Sequence, residues 1–285
     1  MDELQRVHSR LKPVLYELLS EKSYISSLTN DVCKGLIEGP LPTESAELCV
    51  GEAPCESECD TGLLRGYPLH PLYTRISLAL ASWMITGTCP VLRLPPMFLL
   101  NEEVSLKERQ QRIDNVTSKL TGASTLWEMW SRDEQKHFLV DVLAKLGLRG
   151  VLDLLGVRQT VGSADLLPPP RETLLSTFNA LHSPPSKLTV GARALAKHHH
   201  RDDTAHWWGD STGTDLVKNQ HAMEVVSKVM DNAVWINIHG LPHDVKVIEM
   251  RTIEGYGARW LYNGTEFRGF LEPQMEGGHE ARWRH

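Results

Sequence analysis

The residues best suited to chemistry lie in the last 53 of the 285 residues. Two strand-like runs, 233–239 and 244–253, precede a hairpin signal at Asn263-Gly264. Side chains alternate across a strand, so one face of this ribbon should carry several polar residues. An ordinary solvated face consists mainly of Lys, Glu and Thr, whereas His transfers protons and Arg binds anions. The predicted site residues on this face are Asn237, His239, Glu249, Arg251, Arg259 and Arg268.

The hairpin signal predicts that two arginines lie close together. A two-residue Asn-Gly turn would pair Trp260 with Phe267 and place Arg259 directly opposite Arg268. Like charges facing each other across a ladder cost up to about 1 kcal/mol unless something negative lies beside them. A bound phosphate or carboxylate would satisfy both guanidinium groups. An internal salt-bridge network would do so too, and its carboxylates would come from Glu249, Glu266 or Glu272.

Histidines are concentrated in the same part of the chain, since nine of the thirteen follow residue 197. His239 or His243 could act as a general base oriented by Glu249. Together with His279 they could instead bind a divalent metal, although Gly240 and Pro242 predict a turn and not the helical spacing of a metalloprotease motif. The alternative is that these histidines are hydrogen-bonded in turns or exposed.

A second unusual feature is the pair Trp207-Trp208 in a loop that contains Gly and Asp. Paired tryptophans in such a loop either anchor the packing or form a stacking platform for a base, a sugar or an aromatic ligand. Both interpretations stay open at this stage, and both residues are included in the candidate ligand-binding set.

The sequence that precedes the candidate site shows helical patterns, and together with the strands it predicts an α+β protein. Apolar residues at helical spacing predict an N-terminal helical region over 1–165, with a flexible acidic loop at 38–60. Capping boxes at Ser105 and Ser131 predict two helix starts, and Gly147 predicts a helix end. A C-terminal domain over 186–285 should pack helices on a small antiparallel sheet and carry the candidate site.

Composition limits the kinds of molecule that this protein is expected to bind and the compartment in which it is expected to lie. The net charge of −6 provides no global basic field, so nucleic acid is an unexpected partner and an anionic small molecule or peptide is favoured. No uncharged run is long enough to span a membrane. The five cysteines all lie in the first third of the chain and do not indicate a disulfide scaffold, so a cytoplasmic or nuclear location is expected.

The C-terminal segments Gly255-Tyr-Gly-Ala-Arg-Trp260, Phe267-Arg-Gly-Phe-Leu-Glu-Pro273, Gly278-His279 and Trp283-Arg-His285 resemble the end of a family of uncharacterised eukaryotic proteins. The resemblance extends over roughly the last 100 residues. It implies an intracellular eukaryotic setting and no particular activity.

These features lead to two competing functions. The first is a hydrolase that acts on a phosphorylated small molecule or nucleotide, with Arg251, Arg259 and Arg268 binding the anion. The second is a non-enzymatic interaction module that uses the Trp/Arg/His face, since Trp and Arg are enriched at interaction hot spots. A purely structural face, buried against the helical region, is the third interpretation.

Overall fold

The computed structural model describes residues 2–21, 25–39, 62–97, 99–100, 102–183, 185–198 and 206–274. Nearly all of the predicted acidic loop at 38–60 lies outside these described residues. The chain forms two compact units. The first is drawn from Met1–Pro96, Glu102–Val161 and Asp165–Leu167, and the second from Met97–Asn101, Gly162–Ala164 and the chain from Pro168 onward. The domain limits drawn from sequence, 1–165 and 186–285, remain predictions.

The first unit is helical. Its helices are α1 (Glu3–Ser20), α2 (Asn30–Ile37), α3 (Tyr73–Thr86), α4 (Glu103–Leu120), α5 (Ala123–Trp127) and α6 (Arg132–Leu154), with 3-10 turns at Gly62–Leu64 and Pro90–Arg93. The apolar stripe of α1 is buried, as its spacing predicts, and packs against α3 and α6. Helix α3 is apolar on nearly all sides because it lies at the centre of this unit.

The helix-start predictions had mixed outcomes. Ser131 forms the predicted capping box with Glu134 at the start of α6. Gly147 has a left-handed φ of 63°, so it interrupts α6 with a kink, but the helix resumes and continues to Leu154. The prediction for Ser105 is wrong because α4 begins two residues earlier, at Glu103. The hydroxyl of Ser105 instead donates to the carbonyl oxygens of Glu102 and Gln159.

The second unit combines helices α7 (Arg171–Phe178), α8 (Val190–His198) and α9 (Asp215–Asp231) with a four-stranded antiparallel sheet. The strands β1 (Trp235–Leu241), β2 (Val245–Arg251), β3 (Gly257–Leu261) and β4 (Phe267–Leu271) follow one another in spatial order. The α+β class predicted from sequence is therefore confirmed. In neither unit does a described helix combine the length and apolar character needed to cross a membrane.

Aromatic packing joins the helices to one face of the sheet. The ring of Phe178 lies 4.8 Å from that of Phe267 and 6.4 Å from that of Trp260. The indole nitrogen of Trp260 donates to the carbonyl of Leu174 at 3.0 Å. Gly191 in α8 allows this approach, since a Cβ there would lie 2.1 Å from the Phe178 ring. The opposite face of the sheet is left for the polar residues.

The β3–β4 hairpin corrects one prediction. Trp260 does pair with Phe267, but a bulge follows, and Arg259 pairs with Gly269 instead of Arg268. The connection is longer than a two-residue Asn-Gly loop. Its turn closes through a hydrogen bond from Gly264 N to the carbonyl of Leu261, and only Gly264 has a positive φ. The extra residue in β4 moves Arg268 out of register with Arg259.

Candidate active site

The polar face of the sheet is organised around Glu249 in β2. Its neighbour across β1 is Asn237, and its neighbour across β3 is Arg259. Arg251 lies two residues along β2 and therefore on the same face. His239 pairs with Val247, which places it diagonally from Glu249. Antiparallel register thus gathers residues from three strands around one carboxylate.

The two oxygens of Glu249 have different partners. Oε1 accepts a hydrogen bond from Nε of Arg251 at 2.6 Å. Oε2 accepts from Nε and Nη2 of Arg259, at 2.9 and 2.6 Å. The same oxygen lies 3.3 Å from Nε2 of His239. Glu249 is buried, so this carboxylate holds an imidazole and two guanidinium groups in fixed positions.

The electrostatics of Glu249 keep it ionised. Burial alone would raise the pKa of this carboxyl, because a charge is poorly solvated in the interior. The hydrogen bond with His239 and the positive charges of Arg251 and Arg259 outweigh that effect and hold the pKa well below its ordinary range. Glu249 therefore supplies a permanent negative charge and orients its neighbours.

Arg251 forms the inner side of the site. Its Nη1 donates to the carbonyls of Gly255 and Glu272, at 2.7 and 2.9 Å. The carboxylate of Glu272 in turn lies 2.5 Å from Nδ1 of His198, at the end of α8. Sequence reasoning did not find this buried His198–Glu272 pair, because 74 positions separate the two residues and no periodicity relates them.

The outer side of the site is partly open. The side chains of His239 and Arg259 are 18% and 21% exposed. Within the described part of the chain, all hydrogen bonds of Arg259 are made by Nε and Nη2, so Nη1 remains available to a ligand. The β4 neighbour of Arg259 is Gly269, where an added Cβ would meet nothing within 4 Å. A partly exposed imidazole and a partly exposed guanidinium therefore contact the same carboxylate oxygen.

Arg268 does not belong to this group. Its side chain is 44% exposed and its Nη1 donates to Oε1 of Glu266 at 2.8 Å. The prediction that Arg259 and Arg268 face each other across an anion is wrong, because the bulge in β4 offsets them and each has its own carboxylate. For these two arginines the structure has the internal salt bridges that the sequence left as the alternative.

The remaining candidate ligand-binding residues are largely enclosed. Asn237 is fully buried and accepts a hydrogen bond from the hydroxyl of Ser163 at 2.8 Å. Trp208 is buried too. The Trp207 ring stacks on Tyr256 at 4.5 Å, and Nζ of Lys228 lies 4.1 Å from its centroid. Trp207 therefore packs against side chains of its own unit, which matches the packing-anchor interpretation.

The metal-site prediction involves His239, His243 and His279. His243 lies on the exposed connection between β1 and β2, where its φ is 68°. His279 lies outside the described residues. Among the residues that the structure describes, no group of three or more His, Cys, Asp or Glu side chains is arranged to hold a metal ion. The divalent-metal site remains a prediction.

A segment of the second unit is similar to a known protein domain. Residues 179–272 match the family model of the CdiA C-terminal tRNase toxin domain. The match covers about a third of the chain and includes α8, α9 and all four strands. Comparisons with curated proteins and with solved structures found no match.

This match overturns two expectations. The resemblance to an uncharacterised eukaryotic family is replaced by similarity to a nuclease toxin domain. The expectation that nucleic acid is an improbable partner is contradicted as well, because the matched domain is named for action on tRNA. The physical reason is that net charge averages over the whole chain, whereas binding depends on charges within about 10 Å of the phosphates.

Proposed function

We propose that this protein is a nuclease-type hydrolase that cleaves RNA, with tRNA as its substrate class, and that His239 and Arg259 are its catalytic residues. The observation that carries the proposal is that His239 and Arg259 both contact one oxygen of the buried Glu249. Both side chains are partly exposed, and both lie in the segment that matches a tRNase toxin domain. The earlier suggestion of a phosphorylated small molecule is replaced by a phosphodiester in RNA.

Cleavage of RNA by its own 2′-hydroxyl requires a group that accepts the proton of that hydroxyl. In the proposed reaction His239 accepts this proton, a bond forms between O2′ and phosphorus, and the bond from phosphorus to O5′ breaks. The departing O5′ takes a proton from water, and the products carry a 2′,3′-cyclic phosphate and a 5′-hydroxyl. Histidine suits this step because it exchanges protons near neutral pH.

The geometry of His239 fits that role. Its Nε2 faces the ionised Glu249, which orients the ring and stabilises the imidazolium formed on proton transfer. Its Nδ1 lies 3.3 Å from the carbonyl of Gly240, a long contact that a substrate hydroxyl can replace. The base is thus held by one nitrogen and directed to the substrate by the other.

Arg259 supplies the positive charge that the reaction needs. As O2′ attacks, negative charge grows on the non-bridging oxygens of the phosphate, and a preoriented cation at that point lowers the barrier. Nε and Nη2 of Arg259 are fixed by Glu249, so Nη1 is presented in a defined direction. A guanidinium donates well to phosphate oxygens because its donors lie in one plane.

The local charge balance of the matched segment is compatible with RNA binding. Residues 179–272 contain ten lysines and arginines, eleven aspartates and glutamates, and eight of the thirteen histidines. The segment is therefore close to neutral, although the whole chain carries −6. RNA would be bound through a few local phosphate contacts, with affinity that falls as salt rises.

The test is cleavage of purified tRNA by the full chain, followed on a denaturing gel with mass spectrometry of the new ends. Wild type should yield 2′,3′-cyclic phosphate ends, and DNA of the same sequence should stay intact because it lacks the 2′-hydroxyl. His239→Ala should lower the rate by about 10²–10⁴-fold, and Arg259→Gln by about 10²–10³-fold.

Two control variants match these changes. His182 is an exposed histidine within the matched segment, and its Nδ1 lies 3.0 Å from the hydroxyl of Ser183. Arg268 is the exposed arginine of the same hairpin. His182→Ala and Arg268→Gln should cleave tRNA at the wild-type rate. Intact tRNA, or full activity in His239→Ala, would refute the proposal, and tRNA binding without cleavage would favour the interaction module.

A further inference from the structure

We infer that the helical first unit contains an oxyanion-binding site, formed by Arg109 and Arg112 of α4 and Arg149 of α6 around Asp153. We call these four residues the Asp153 cluster. It belongs to a different unit from the proposed nuclease site and does not depend on that proposal. The ligand class is a small oxyanion such as phosphate, free or at the end of a larger molecule.

Arg109 has more side-chain nitrogens without a hydrogen-bond partner among the described residues than Arg112 or Arg149. Its side chain is only 5% exposed, and Oδ1 of Asp153 lies 3.6 Å from its Nε, which is too long for a hydrogen bond. In the described part of the chain neither Nε nor Nη2 has a hydrogen-bond partner. Burial lowers the pKa of Arg109, because a charged guanidinium is poorly solvated there.

The two neighbouring arginines share the same carboxylate. Nη2 of Arg112 lies 3.2 Å from Oδ2 of Asp153, and Nη2 of Arg149 lies 3.3 Å from Oδ1. Arg149 also donates to the carbonyl of Val157 and to Asp165. Among the described residues, no partner is found for Nε of Arg112 or Nε of Arg149. Four nitrogens around one aspartate therefore have unsatisfied donors.

Among the described side chains of this region, four arginines face three carboxylates. Next to the cluster, Arg158 and Glu102 form a tight pair that neutralises itself, at 2.7 and 2.5 Å. The charge of Glu102 also attracts Arg109, and the other described carboxylates near the three arginines of the cluster are Asp153 and the half-exposed Asp165. A buried positive charge in excess is costly unless it is paired. An anion that accepts from the unsatisfied nitrogens would supply both the missing charge and the missing acceptors.

An oxyanion fits these requirements better than a water molecule or a halide. Phosphate offers several acceptor oxygens and a negative charge, and guanidinium groups bind two of its oxygens at once. The side chain of Arg112 is 19% exposed, so the cluster is open to solvent on that side. A larger molecule could therefore place a terminal phosphate against Arg112 and Arg109.

The experiment is calorimetric titration of the full chain with inorganic phosphate, with chloride as the comparison anion. An Arg259→Gln background removes phosphate binding at the proposed nuclease site. In that background we expect one saturable phosphate per chain and little heat from chloride. Arg109→Gln should weaken phosphate binding by about tenfold or more. Arg112→Gln should weaken it too, and its partial exposure favours normal folding if Arg109→Gln does not fold.

Two further measurements make the outcome decisive. In phosphate-free buffer Arg109→Gln should be at least as stable as its parent, because it removes one of the four positive charges that face three carboxylates among the described residues. With Arg259 intact, Arg109→Gln should cleave tRNA at the normal rate, which separates this site from the proposed function. The inference is overturned if phosphate does not bind, if both variants keep full affinity, or if Arg109→Gln loses stability without phosphate.

Discussion

Replacing Glu249 with Gln should strongly destabilise the sheet of the second unit. The carboxylate is buried and accepts hydrogen bonds from Arg251 and Arg259, and it also contacts His239. Gln keeps the shape but removes the charge, which leaves the buried Arg251 without a carboxylate partner. Breaking one partner of a buried ion pair costs about 3–5 kcal/mol. We therefore expect Glu249→Gln to lose about 3 kcal/mol or more of unfolding free energy at neutral pH.

The same interaction should make stability depend on pH. Because the folded pKa of Glu249 is depressed, its contribution is fully present above 4.5, the ordinary value for glutamate. It is lost as pH falls from there toward the folded pKa, since protons bind the unfolded chain more readily. The stability difference between wild type and Glu249→Gln should therefore shrink as pH is lowered below 4.5.

The assay is hydrogen exchange with mass spectrometry on peptides from β2 and β3, because it reports the stability of the sheet separately from that of the helical unit. Glu266→Gln is the matched control. Its partner is Arg268, the pair is about half exposed, and its loss should cost less than about 1 kcal/mol. A loss below about 1 kcal/mol in Glu249→Gln, or an unchanged gap at acidic pH, would refute the reasoning.

Two further outcomes concern packing and thiol chemistry. Gly191→Ala should lower the unfolding free energy by about 1–3 kcal/mol in chemical denaturation, because its Cβ would meet the Phe178 ring at 2.1 Å. Gly240→Ala is the control and should have a far smaller effect, since the closest neighbour of its Cβ lies at 3.9 Å. Equal effects of the two changes would contradict this packing. Burial raises the pKa of Cys89 to about 12, so peptide mapping after alkylation at pH 8 should find Cys89 unmodified in the native protein and modified after unfolding.

Local signals in the sequence predicted local structure well. The spacing of Leu11, Val14 and Leu18 gave the buried stripe of α1, and Ser131 gave the start of α6. Alternating residues gave β1 and β2 to within about two residues, which is the usual uncertainty of strand ends. These features depend on residues that are close in the chain, so a pattern in the sequence is sufficient to find them.

Features that depend on distant residues were not predictable. The bulge that separates Arg259 from Arg268 lies within the β3–β4 ladder, and the Asn263-Gly264 signal could not reveal it. The hydrogen bond between Asn237 and Ser163 joins segments 74 residues apart, and so does the pairing of His198 with Glu272. The net charge was also a poor guide to nucleic-acid binding. The acidic segment at 38–60 accounts for most of its negative value, and that segment lies far along the chain from the matched residues.

The rate of tRNA cleavage by wild type and by His239→Ala, measured side by side with His182→Ala, tests the central claim most directly. The proposed chemistry requires wild type and His182→Ala to produce 2′,3′-cyclic phosphate ends at equal rates, while His239→Ala is slower by about 10²-fold or more and remains folded. Equal rates for wild type and His239→Ala, or tRNA that stays intact with every variant, would contradict it.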